Sequence, residues 1–173
     1  MAGSHAAHHH AHRQADGGHQ FAAKVLTVSD GVIAGTREDR SGEALGEALA
    51  AAGYEVVERR VVADGVEAVS DALTEMSSGF EGLIVTTGGT GFTERDLTPE
   101  GTCAVIEREA PGLAEAMRLA NPLGRLSRGV AGIIGRAIVL NTPGSTKGCV
   151  ECFEAVADVL PHALALLAGE RLH

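Results

Sequence analysis

Gly82-Leu-Ile-Val-Thr-Thr-Gly-Gly-Thr-Gly91 is the stretch that decides the fold. Its first six residues form a continuous apolar run without a charge, and the glycines after it break the run. A short apolar segment of this kind reads as a strand buried on both faces, as in parallel sheets. The glycines let the chain turn sharply at the strand's carboxyl end.

Working outward, strands and helices alternate. Phe21 to Ser29 is a β-rich run that stops at Asp30-Gly31. Ser41 to Ala52 places Leu45, Ala48, Leu49 and Ala52 on one helical face, with Gly53 where a helix is closed. Tyr54 to Val62 reads as the next strand. Val66, Val69, Leu73 and Met76, spaced 3, 4 and 3, predict an amphipathic helix ended by Gly79. Past the glycines, Thr98-Pro99-Glu100 has the order of a helix start, with a capping hydroxyl, a first-turn proline and an acid. That helix is expected to reach Ala110, and a second piece runs from Pro111-Gly112 to about Asn121-Pro122. Val130 to Ile134 and Ala137 to Leu140 flank Gly135-Arg136, which predicts a β-hairpin with a two-residue turn. Pro143-Gly144-Ser145 leads into a long last helix that turns Val150, Phe153, Ala157, Leu160, Leu164 and Leu167 inward, and Pro161 should kink or divide it. The class is α/β: a mostly parallel sheet covered on both faces, with one short antiparallel hairpin.

Bulk properties narrow the function. The 173 residues suit one domain, expected over 21–173. Residues 1–20 carry six of the eight histidines and no apolar period, so they are expected to form a disordered His-rich tail. No run approaches the roughly 20 apolar residues of a membrane span. Three cysteines give no disulfide framework and fit a reducing cytosol, so the protein is expected to be cytoplasmic. A net charge of −9 argues against nucleic acid or an anionic membrane as partner. Any bound anion must be held by a local basic patch or by backbone amides.

Ligands of parallel sheets bind beyond the carboxyl ends of the strands. Three loops meet there: Asp30-Gly31, Thr86 to Asp96 and Asn141 to Lys147. Gly88-Gly89-Thr90-Gly91 has the composition of a nest whose amides converge on a phosphate, though a plain structural turn is an equal reading. It is neither a Walker A loop, lacking Gly-Lys-Ser/Thr, nor a G-x-G-x-x-G fingerprint, which argues against a nicotinamide enzyme. Asp96 lacks a structural task, since Thr98 is better placed to cap the helix. A carboxylate beside a phosphate nest needs a bridging cation, and Mg²⁺ is the natural one. Asp64 and Glu67 have the spacing of a capping box, which suffices to explain Asp64. Ser145 is expected to cap the last helix, and Lys147, Arg37, Arg40, Arg125 and Arg128 are available as positive charge near the loops. Cys149 and Cys152 have C-x-x-C spacing but no second pair, and they read as packing residues.

Taken together, these loops resemble the MogA/MoaB family. Thr86-Thr-Gly-Gly-Thr-Gly91 with Arg95-Asp96-Leu97-Thr98-Pro99-Glu100 is similar to that family's TTGGTG…RD-x-TP-[DE] stretch. Ser29-Asp30, Asp39-Arg40-Ser41-Gly42 and Asn141-Thr-Pro-Gly-Ser145 follow the same order. The likeness covers about Phe21 to Gly169. It implies a three-layer αβα fold, a homo-oligomer that is most often a trimer, and Mg-ATP-dependent adenylylation of molybdopterin with release of pyrophosphate. It also implies Asp64 and Asp96 as catalytic residues around Mg²⁺, so Asp64 is expected to be more than a cap. Substrate binding would fall to Ser29, Asp30, Thr87, Gly88, Gly89, Thr90, Gly91, Pro143, Gly144, Ser145 and Lys147. A MoeA-like molybdate-inserting enzyme would be the partner that takes the product. Some MoaB relatives bind molybdopterin without adenylylating it, and that is the alternative function.

Overall fold

A computed structural model describes residues 20–170. Of the expected tail, 1–20, all but Gln20 lies outside the described residues, and so does any test of its disorder.

Six strands form one sheet in the order β2-β1-β3-β6-β5-β4. They are β1 (Ala22–Val28), β2 (Glu55–Val62), β3 (Glu81–Thr87), β4 (Arg108–Glu109), β5 (Ala131–Ile134) and β6 (Arg136–Thr142). The first four strands in that order run parallel, and β5 and β4 add antiparallel pairs at one edge. Ile134 pairs with Ala137, so the predicted Gly135-Arg136 turn is present.

Helices cover both faces, giving three layers. Alternation along β1, β3 and β6 sorts the core. Ala23, Val25, Leu83, Val85, Ile138 and Leu140 pack against Leu45, Leu49, Met117, Phe153 and Leu160. These come from α2 (Arg40–Ala51), α5 (Pro111–Leu119), α6 (Thr146–Glu154) and α7 (Leu160–Leu167). Leu26, Val28, Ile84, Ala137 and Val139 face Val69, Leu73 and Met76 of α3 (Val66–Ser77), with Val105 beyond α4 (Thr98–Cys103). Each fully buried large apolar side chain contributes roughly 1.5–3 kcal/mol of transfer free energy, so these two layers supply the main drive to fold.

The structure departs from the sequence reading in several places. The helix expected to reach Ala110 stops at Cys103, because Arg108–Glu109 instead pairs with β5 and extends the sheet. Asp64 does not cap α3: Gly65 holds that position with φ 143°, and no side chain bonds there. Nor does Thr98 cap α4, whose N-cap is Leu97. An unforeseen four-residue helix, α1 (Asp30–Ile33), follows β1, with the Ser29 hydroxyl accepting from the Val32 N–H. Asp39, two residues ahead of the expected start at Ser41, caps α2 by accepting from the Gly42 N–H. The last helix is divided, and Pro161 sits in the first turn of α7 as its missing N–H permits.

Candidate functional site

The strand order places the site. Chain leaves β1 toward β2 on one side and leaves β3 toward β6 on the other, so a crevice opens between the carboxyl ends of β1 and β3. A cleft of about 1250 Å³ lies there. Ser29, Asp64, Thr87 to Gly91, Asp96 and Pro143 to Lys147 all line it, so residues from four separate loops meet. Asp30, grouped with them by sequence, does not line it.

The glycine loop is built by hydrogen bonds on its outer side. Gly88 O accepts from Thr98 Oγ1 (2.9 Å) and Gly89 O from the Thr98 N–H (3.0 Å). Thr90 O accepts from the Arg128 N–H (2.9 Å) and Gly91 O from Arg128 Nε (2.8 Å). Across a trans peptide the N–H points opposite to the preceding carbonyl, and no peptide here is cis. The N–H groups of Gly89, Thr90 and Gly91 are therefore turned the other way, and none donates to a partner among the described residues. Three adjacent unpaired donors in a concave loop make an anion nest. Glycine is required for two reasons at once. Gly88 and Gly89 have φ of 100° and 65°, and a Cβ would stand 2.3 Å from Val28 O and 2.2 Å from Thr98 Oγ1. Below the loop, Asn141 Nδ2 reaches Thr86 Oγ1 (3.1 Å) and Thr102 Oγ1 (3.0 Å), and Thr102 Oγ1 donates to Thr98 O (2.8 Å). This buried polar network satisfies its own members and fixes α4 against the strands.

Both aspartates flank the nest. A Cβ built on Gly89 would lie 3.3 Å from Asp64 Oδ1, and one on Gly91 would lie 2.9 Å from Asp96 Oδ2. Asp64 is held by a reciprocal pair: its Oδ2 accepts from the Asp30 N–H (2.8 Å), and Asp30 Oδ1 accepts from the Asp64 N–H (3.0 Å). Arg95 completes this latch with Nε and Nη2 on the Asp30 carboxylate and Nη2 on Asp64 O (2.9 Å). The Arg95 guanidinium, followed by the Asp64 N–H, holds the Asp30 carboxyl below the ordinary carboxylate value. Asp30 is thus tied up as a strut between two loops. Asp96, which showed no structural task in the sequence, accepts from the Thr93 N–H through Oδ2 (2.8 Å) and closes a turn. Asp64 Oδ1 and Asp96 Oδ1 accept nothing among the described residues.

Charge is distributed unevenly around the cleft. Arg37 and Arg40 line it near the start of α2, while Arg125 and Arg128 do not. Ser145 caps α6 by accepting from the Gly148 N–H (3.1 Å), as its position predicted. Lys147 lies at the rim and pairs with Glu151 at 3.5 Å. Leu123 and Leu126, on a 3-10 turn (Pro122–Leu126), form an apolar wall, and Asn121 Nδ2 ties that turn to Glu151 (2.8 Å). Cys149 and Cys152 are buried on the packing side of α6, and burial pushes the Cys152 thiol up to about 11. A thiol so far from ionisation is not a nucleophile at neutral pH.

Sequence reasoning missed the struts. Arg95 carried no spacing signal and Thr98 carried that of a helix cap, because the partners they bond are 31 to 65 and 10 residues away. Thr27 Oγ1, which donates to the Asp39 carboxylate (2.9 Å), was equally silent.

A three-layer α/β protein with an anion nest at its topological switch point is the class that fold and site define. The family described as "probable molybdopterin binding domain" matches residues 24–162. Helicobacter pylori molybdopterin adenylyltransferase is 38% identical over 152 residues, covering 84% of this chain and 86% of its own. The Escherichia coli K12 protein of the same name is 34% identical over 165 residues, 84% of each chain. Among solved structures, the MoaB protein of Thermus thermophilus is 44% identical with a TM-score of 0.82, covering 89% of this chain and 100% of that one. The Mog protein of Mycobacterium ulcerans is 37% identical with a TM-score of 0.79, covering 88% and 99%. The chain belongs to the MogA/MoaB family of molybdenum-cofactor biosynthesis.

Proposed function

We propose that the chain adenylylates molybdopterin. The terminal phosphate oxygen of the pterin forms a bond to the α-phosphorus of ATP, the α–β bridging P–O bond breaks, and pyrophosphate leaves with that electron pair. The observation that carries this reading is the set of three unpaired N–H groups at Gly89, Thr90 and Gly91 between the Asp64 and Asp96 carboxylates. Relatives named molybdopterin adenylyltransferase, matched over 84% of the chain, point the same way.

The residues fit a magnesium ion. Among the described residues no group of three or more ligating side chains exists, which excludes an all-protein cage. Asp64 and Asp96, each with one oxygen free, form the sparse donor set that Mg²⁺ takes when phosphates complete its shell. When bound it would offset the triphosphate's charge and that of departing pyrophosphate. The chain's own groups do the rest. The nest amides hold a phosphate, and Arg37 and Arg40 draw polyanions into a protein that is acidic overall. Ser145 leaves the first N–H groups of α6 facing the cleft, where Thr87 Oγ1 fixes the Pro143 carbonyl (2.9 Å). No protein nucleophile is needed, because the attacking phosphate is already ionised near neutral pH.

The same reading covers the setting. Residues 21–173 act as one domain in the cytoplasm as a homotrimer, supported by the exposed Leu119, Leu123 and Leu126 and by no helix among the described residues long and apolar enough to cross a membrane. Its product passes to a MoeA-like molybdate-inserting enzyme. The direct test is to incubate the protein with molybdopterin, ATP and Mg²⁺. Adenylylated pterin and an equal amount of pyrophosphate are expected. Molybdopterin binding without product would instead assign the chain to the non-catalytic MoaB-like relatives.

A further inference from the structure

We propose that Arg128 is the positioning residue of the phosphate nest, acting from outside the cleft; this rests on the function proposed above. The direction of each nest N–H follows from the carbonyl before it, and two residues hold those carbonyls. Thr98 takes Gly88 O and Gly89 O. Arg128 takes the last of them, Thr90 O, through its backbone N–H, and through Nε it also takes Gly91 O in the peptide that follows the nest. The other end of the guanidinium donates to the Asp96 carbonyl and the Glu100 carboxylate. Its backbone N–H thus sets the last nest peptide, while its guanidinium locks the following Gly91–Phe92 peptide, the backbone of Asp96 and the first turn of α4 relative to one another.

Its own support is rigid. The Val130 N–H donates to Asn141 Oδ1 (3.2 Å), the Asn141 N–H donates to Val130 O (3.0 Å), and Arg118 Nη1 donates to Gly129 O (3.0 Å). Asn141 is only 2% exposed, so the segment carrying Arg128 is pinned to β6. Arg128 does not line the cleft, and all the side-chain donors described above are spent on protein acceptors. It is therefore a strut rather than a ligand for substrate. A lysine keeps the charge but places its three donors on one nitrogen, which cannot span Gly91, Asp96 and Glu100 together.

The test uses the full chain with Arg128→Lys, Arg128→Met and Glu100→Gln. Calorimetry gives the affinity for inorganic pyrophosphate, and steady-state adenylylation gives kcat and KM, with melting temperature measured alongside. Misaiming preorganised donors by a fraction of an ångström weakens binding roughly tenfold or more. Both Arg128 variants should lose pyrophosphate affinity on that scale, with KM for ATP rising and kcat falling, and lysine should not rescue. Glu100→Gln, which touches no ligand, should show a smaller loss in the same direction. Retained affinity in Arg128→Lys with gained affinity in Glu100→Gln would mean that Arg128 acts as a charge on the ligand, and the proposal fails. Lowered melting temperature with unchanged pyrophosphate affinity would mean ordinary packing, and the proposal fails again. Should Arg128→Met not fold, the other two variants decide. A wild-type protein that makes no adenylylated pterin overturns the proposed function and leaves the pyrophosphate comparison readable.

Discussion

The two ends of the same four parallel strands use polar groups in opposite ways. At the amino ends polar side chains close on one another. Lys24 Nζ meets Glu58 Oε2 at 3.0 Å and Met76 O at 2.9 Å, and lies 4.3 Å from the centre of the Phe80 ring. Arg136 pairs with Glu81, and Tyr54 packs edge-on against Phe153 with ring centres 6.2 Å apart. At the carboxyl ends Thr86, Thr98, Thr102 and Asn141 also satisfy one another, yet their arrangement leaves three backbone donors and two carboxylate oxygens free. At the amino end the charged side chains are paired and only the buried Tyr54 hydroxyl lacks a partner among the described residues, whereas the binding end pairs only what must be held still.

Changes at the two ends should therefore separate stability from activity, and the largest effect belongs to the amino end. Phe153→Ala removes a fully buried ring and should cost about 3–5 kcal/mol of unfolding free energy. Urea denaturation measures it, and KM for ATP on the folded protein should stay put. A shifted KM would show that the two ends are coupled.

Next come the free carboxylates. Asp96→Asn should lower the adenylylation rate about 10²- to 10³-fold while the melting temperature barely moves. Asn keeps an oxygen for the Thr93 N–H, so the local turn survives. Asp64→Asn likewise keeps an acceptor for the Asp30 N–H and should retain its fold while losing activity. An Asp96→Asn enzyme of full activity would sink the mechanism. Thr98→Val is intermediate: it leaves Gly88 O buried without its donor and should cost about 1–3 kcal/mol together with weaker pyrophosphate binding.

The smallest effects are at exposed charges. The Asp30 carboxyl is held low, so its contribution is present above the unfolded value near 3.8 and is lost as pH falls through the lower folded value. Arg95→Met should thus bring acid unfolding to slightly higher pH, which melting temperatures taken from pH 7 down to pH 3 would reveal. Arg136→Ala should cost no more than about 1 kcal/mol, the usual worth of a half-exposed pair such as that with Glu81, and leave turnover unchanged.

Local pattern alone was enough for every strand but β4, for the Gly135-Arg136 hairpin, the Ser145 cap and the division at Pro161, because each depends on residues within one turn or one strand of each other. The glycine loop was also legible, since positive φ demands glycine whatever surrounds it. Other features needed the tertiary structure. Asp64 and Glu67 have the spacing of a capping box, but Asp64 is drawn instead to an N–H 34 residues away. Thr98 has the spacing of a cap but turns to Gly88 O, and the segment after Cys103 leaves its helix to pair with β5. Arg128 read only as an available cation and Arg95 only as part of a motif, until the sheet brings the loops after β1, β2 and β3 and the segment ahead of β5 together. Spacing encodes which neighbours along the chain can meet. Which distant donor reaches an acceptor first is decided by the sheet, because placing β1 between β2 and β3 sets the distances over which those bonds compete.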